Sequence, residues 1–325
     1  MKTRRESNLS TLKTLNKLWG QIVTLESLIS TMTESDKLVM DQKEALGMYD
    51  RYSSEYDKNT LQTMVPIVNH FLSLIPPLDS SSIVHDNACG TGIVTQTIIA
   101  NMELKTLQDD QPSKLTFHCT DLSPDMIDKL SAKIQKFGWN NVTATVMDAS
   151  QLTFDDEWFT HSFTNFGLFF LPDPVQGASH IFRTLKHGGI SISTTWGKVG
   201  FLASMRKADE LTRPDLPSIT DTFTDNWTQE SFIRSVFEDG GFAGSHGIVT
   251  FDRCETSLQA NSIEEHTHSF WTLFGYSDKG WTEDDKKKWV AAFVEELSKS
   301  DDCYTDTVGI CHVRMSALIC KAVKF

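Results

Sequence analysis

Ser82-Ile83-Val84-His85-Asp86-Asn87-Ala88-Cys89-Gly90-Thr91-Gly92 passes directly from a β-branched run into a turn of small residues, and a helical pattern follows from Gly92 to Met102. The order predicts a strand over 82–86, a tight turn, and a helix opening at its end. Small side chains let the backbone bend sharply and let a ligand approach it closely. The unpaired amides at the start of the helix can hold an anionic group such as a carboxylate. Glycines also serve ordinary tight turns, so the residues on either side must show what this one is for.

Outward from this stretch, short β-branched runs alternate with helical patterns. Upstream, Leu61 to Ile75 reads as a helix ending before Pro76-Pro77. Downstream, strands are expected at 115–120, 142–147, 161–168 and 189–196, with helices at 124–137 and 175–185 between them. A helix at 228–238, a strand at 247–258 and a closing strand at 316–323 complete the pattern. The expected fold is α/β: a Rossmann-like sheet of seven mostly parallel strands. Two helical insertions interrupt it, near 198–227 and 262–300. Ligands of open α/β sheets lie beyond the carboxyl ends of the strands, so insertions entering there can wall or cover a pocket. The second carries Phe270, Trp271, Phe274, Tyr276, Trp281 and Trp289, which suit either a lid over an apolar ligand or ordinary helix packing.

Asp121, closing the second strand in Cys119-Thr120-Asp121-Leu122-Ser123, follows the glycine turn at the interval of an acidic residue that accepts hydrogen bonds from a ribose diol. It can equally make an Asx turn or cap ahead of Pro124. Met147-Asp148-Ala149 ends the third strand, where a polar group could reach an adenine amino group.

The formal charge of -13 repels phosphate backbones and anionic membrane surfaces, so neither nucleic acid nor membrane is an expected partner. The six cysteines lie far apart, without a CxxC pair, and read as reduced thiols; no metal site is expected. A signal peptide is poorly supported, and a cytoplasmic location is the expectation. Leu9, Leu12, Leu15, Trp19, Ile22, Leu25 and Ile29 recur at helical spacing. Residues 1–44 are therefore expected to form a helical extension, packing on the body at 45–325 or forming a homodimer through that helix.

Asp86-Asn87-Ala88-Cys89-Gly90-Thr91-Gly92, Asp121-Leu122-Ser123-Pro124-Asp125-Met126, Asp148-Ala149, Asn165-Phe166-Gly167-Leu168 and Gly188-Gly189 leading to Thr195-Trp196 resemble, in order and spacing, the class I S-adenosyl-L-methionine-dependent methyltransferases. The chain looks most like the fungal natural-product methyltransferases of the gliotoxin S-methyltransferase kind. One departure is Ala88, where the commoner pattern has its first glycine. The resemblance implies S-adenosyl-L-methionine as cofactor, held by Tyr52, Asp86, Asn87, Ala88, Gly90, Asp121, Leu122, Met126, Asp148, Ala149, Asn165 and Phe166. It also implies a small-molecule acceptor, methylated at S, O or N. Tyr49, Tyr56, Gly167, Trp196, Phe270, Trp271 and Phe274 are the residues expected around that acceptor.

A hydroxyl acceptor would want a base, and His266 and His268 in the second insertion are the candidates. A natural-product cyclase or pericyclase on the same scaffold, with the cofactor in a role other than methyl donation, is the alternative. A nicotinamide dehydrogenase would require a third glycine after Gly90-Thr91-Gly92, where Ile93-Val94-Thr95 stands instead.

Overall fold

The computed structural model describes residues 62–106, 115–215, 218, 225–273 and 281–325. The expected extension at 1–44 lies outside them, as do Tyr49, Tyr52, Tyr56 and Phe274. Helix α1 covers residues 62–73. Strand β1 (Ile83–Asn87) and helix α2 (Ile93–Thr106) flank the glycine turn as expected. There follow β2 (Thr116–Asp121), α3 (Pro124–Phe137), β3 (Val142–Val146), β4 (Phe159–Asn165), α4 (Pro174–Thr184) and β5 (Leu185–Val199). The remainder comprises α5 (Leu202–Thr212), α6 (Glu230–Phe237), β6 (Gly247–Ala260), α7 (Ile263–Leu273), α8 (Glu283–Ser298), β7 (Cys303–Thr305) and β8 (Cys311–Lys324).

The local chemistry explains several of these boundaries. Ser123 caps α3, accepting a hydrogen bond from the Met126 amide, Pro124 suits the first turn, and Gly138 ends the helix at φ +67°. Asp173 caps α4 in the same way ahead of Pro174. Thr282 and Asp285 cap each other's backbone at the start of α8.

The sheet runs β3-β2-β1-β4-β5-β8-β6, with β7 paired to β8. The pairs among β1 to β5 are parallel, and β8 runs antiparallel to both β5 and β6. Seven strands form this path, as expected, and among the described residues one short strand is added beside it. The addition, β7, is three residues set between acidic neighbours, too short to leave a period in the sequence. One face of the sheet is covered by α1, α2 and α3 through Phe71, Ile98 and Leu130, the other by α4 and α6 through Ile181 and Phe237. The expected single helical run at 262–300 is two helices, α7 and α8. They pack with α5 of the first insertion around Met205, Phe270, Trp289 and Phe293, against Val313 and Met315 of β8. The strand order reverses on either side of β1 and β4, so the carboxyl ends of these strands diverge and leave a crevice between the loops that follow them.

Candidate functional site

A cleft of about 900 Å³, including its open mouth, occupies that crevice. It is lined from β1 and its turn by Asp86, Ala88, Cys89 and Gly90, from the end of β2 by Asp121, Leu122 and Ser123, and from α3 by Met126. Met147, Asp148 and Ala149 after β3, and Asn165, Phe166 and Gly167 after β4, complete the opposite side. Among the described residues, three carboxylates and no basic side chain line it, which gives this part of the cleft an electronegative surface.

Asp86 is almost fully buried. Its Oδ2 accepts hydrogen bonds from the Thr95 amide (3.1 Å) and the Thr95 hydroxyl (2.7 Å), while Oδ1 has no hydrogen-bond partner among the described residues. Burial pushes this carboxyl up to about 7 against the opposing effect of the Thr95 hydrogen bonds, and the nearby charge of Asp121 adds to the rise. Asp121 reaches across to the turn: Oδ2 accepts from the Gly90 amide at 2.7 Å and Oδ1 from the Ser123 amide at 2.9 Å. It therefore makes the Asx-type turn and also braces the glycine loop, a contact with no signature in the sequence. A carboxylate has about four acceptor positions and can serve several donors at once. Asp148 Oδ1 accepts from the amide and hydroxyl of Ser150, at 2.8 and 2.7 Å. Lys133 of α3 holds the far side of the turn by donating to the Thr91 carbonyl at 3.0 Å.

The backbone of the cleft is unusual at two facing positions. Ala88 and Phe166 adopt φ of +51° and +54°, a left-handed conformation costly for residues with a Cβ. They meet through Gly167, where an added Cβ would stand 2.6 Å from that of Ala88. The glycine is required because the two corners are already in contact. The substitution of Ala88 for the commoner glycine is accommodated in this left-handed turn.

Of the residues expected from the sequence to surround a cofactor, Asp86, Ala88, Gly90, Asp121, Leu122, Met126, Asp148, Ala149, Asn165 and Phe166 come together in this cleft, joined by Gly167. Asn87 does not line it. Neighbouring strand residues point to opposite sides. The buried Asn87 side chain donates to Thr164 Oγ1 (3.2 Å) and accepts from Thr120 Oγ1 (3.4 Å), tying β1 to β4 and β2. Trp196 is not among the described residues that line it; its ring packs on Phe166, which is, with centroids 4.1 Å apart.

The second insertion corrects three expectations. His266 is buried with its Nε2 3.1 Å from the Cys311 carbonyl and its ring stacked on Phe270, and burial lowers its basicity, so it packs α7 to β8 rather than serving a reacting group. Phe270 is buried between Phe201 (4.1 Å) and Phe293 (5.8 Å). Trp271 packs edgewise on Trp281 and Trp289. All three serve the helical layer, and none lines the cleft. His268 lies in α7, and its side chain is outside the described residues. Phe170 and Leu171, in the short turn after β4, line the cleft and were not singled out by sequence. Their signal was only an apolar run ending at Pro172.

The strand order β3-β2-β1-β4-β5-β8-β6, with β8 antiparallel to both its neighbours, is a Rossmann-like methyltransferase fold. A model of the methyltransferase domain matches residues 84–189. Among curated proteins, methyltransferase tpcH of Aspergillus fumigatus is 27% identical over 215 residues, 64% of this chain and 73% of its own. Acetylaranotin bis-thiomethyltransferase of Aspergillus terreus is 26% identical over 165 residues, 49% of this chain and 54% of its own. In fold the chain is similar to phosphoethanolamine N-methyltransferase 2 of Haemonchus contortus, solved in complex with S-adenosyl-L-methionine. That likeness has a TM-score of 0.51 at 14% identity and covers 90% of this chain and 60% of that one.

Proposed function

We propose that the protein binds S-adenosyl-L-methionine in the cleft and uses it to methylate a small, secondary-metabolite acceptor at sulfur, oxygen or nitrogen. The observation that carries this reading is Asp86: a buried carboxylate oxygen without a hydrogen-bond partner among the described residues, beside the further carboxylates of Asp121 and Asp148, suits a ligand with cationic groups. Asp121 would accept from ribose hydroxyls, Leu122 and Met126 would flank the adenine, and Asp148 and Ala149 would meet its edge. When bound, the cofactor supplies an electrophilic methyl group on a sulfonium. The chain's own contribution is orientation: Asn165, Phe166 and Gly167 shape the end of the cleft where an acceptor would be held in line, and alignment of this kind supplies much of the acceleration in a displacement. With His266 committed to packing, His268 is the remaining candidate base for a hydroxyl acceptor.

The test is calorimetric titration with S-adenosyl-L-methionine and S-adenosyl-L-homocysteine. Micromolar binding lost in Asp121→Ala is expected, followed by transfer of labelled methyl to a member of a thiol, phenol and amine panel. Absence of binding by either compound would discard the reading.

A further inference from the structure

We propose that Thr194 is a positioning residue for the cleft, holding its acceptor end in a working shape without touching a ligand; the inference rests on the cofactor reading above. Thr194 lies in β5 in register with Asn165 of β4, fully buried, and does not line the cleft. Its one hydroxyl is used twice. It accepts from the Phe166 amide at 2.9 Å and donates to Asn165 Oδ1 at 2.8 Å.

The first bond satisfies the amide of a residue held at φ +54°. A left-handed phenylalanine persists only where its surroundings over-determine it, and this hydrogen bond is a directional restraint on it. The second bond fixes which way the Asn165 amide faces, turning Nδ2 toward Met64 Sδ of α1 at 3.9 Å. Thr194 thus sets two consecutive residues of the cleft wall. Phe166 in turn carries the Trp196 ring, and Gly167 abuts Ala88 of the cofactor turn. A shift of the 165–167 corner is therefore transmitted to both halves of the cleft.

The neighbouring Thr195 is a matched control. It is equally buried and its hydroxyl donates to the Trp227 carbonyl at 2.8 Å, on the side away from the cleft. Thr194→Val and Thr195→Val each remove one buried hydroxyl while keeping side-chain shape. S-adenosyl-L-homocysteine is titrated into wild type, both valine variants and Thr194→Ser, with thermal unfolding recorded in parallel. Both valine variants are expected to melt at lower temperature. Thr194→Val should bind about tenfold or more weakly, Thr194→Ser within about threefold of wild type, and Thr195→Val like wild type. If Thr194→Val does not fold, Thr194→Ala removes the same hydroxyl and is read in its place. Wild-type affinity in Thr194→Val, or an equal loss in Thr195→Val, would overturn the positioning role. A wild-type protein that fails to bind would instead overturn the cofactor reading, and this inference with it.

Discussion

Asp86 is where a single residue's environment bears most directly on ligand binding. Its carboxyl is raised from 3.8 to about 7 chiefly by burial, with Asp121 across the Gly90 turn adding to the rise. A carboxyl raised on folding contributes stability that is fully present below its unfolded value and is lost as pH rises through the folded value; here that window runs from about 4 to 7. A ligand that brings positive charge to Oδ1 reverses the preference, because it favours the ionised form. Binding of S-adenosyl-L-homocysteine should therefore expel a proton below pH 7, with affinity rising by up to about tenfold per unit between pH 6 and 7 and levelling above. Titrations in two buffers of different ionisation heat count that proton, and Asp86→Asn should flatten the profile. A flat wild-type profile would contradict the assignment. The sequence marks Asp86 and Asn87 alike, since both stand in the same motif. Only the strand's alternation and the partners Thr120 and Thr164 send one to the cleft and the other between strands.

At the scale of elements, α5, α7 and α8 form a layer with its own polar anchor. The Trp289 indole donates to Asp209 Oδ1 at 2.6 Å in a buried setting, linking α8 to α5. Asp209→Ala would strand the indole N–H away from water and should cost about 2 to 3 kcal/mol of stability. Chemical denaturation measures that loss, and S-adenosyl-L-homocysteine affinity should stay unchanged because no described residue of this layer lines the cleft. An equal fall in affinity would show that the layer shapes the cleft after all. The aromatic content of 262–300 was plain in the sequence, but periodicity reveals only that a helix has an apolar face, not which surface that face meets. Helix α3 was legible to the residue, since Pro124 and Gly138 punctuate it. A break between α7 and α8 had its own signal in Gly275, Ser277, Asp278 and Gly280, although the expectation ran one helical stretch through them.

Across the whole molecule, the parallel half of the sheet and the order of its motifs were readable because each strand and helix there ends in a distinctive turn. The contact of Asp121 with Gly90 and the double use of Thr194 were not. They join residues far apart in the chain, and only the sheet register brings them together. A ligand that binds the folded chain alone stabilises it by mass action. S-adenosyl-L-homocysteine at a hundred times its dissociation constant should add about 2.7 kcal/mol, raising the unfolding midpoint by roughly 5 °C. Scanning calorimetry reads this directly, and an unmoved midpoint at saturation would count against binding to the native state.

The contact between Ala88 and the bare backbone of Gly167 makes the two loops a matched set. Transplanting residues 165–171 from another scaffold, to re-aim the cleft at a different acceptor, would bring a collision with position 88 whenever the donor loop carries a side chain at 167. Swapping Ala88 for glycine beforehand would open that space, so a residue of the 86–92 turn sets the terms on which the 165–171 loop can be exchanged.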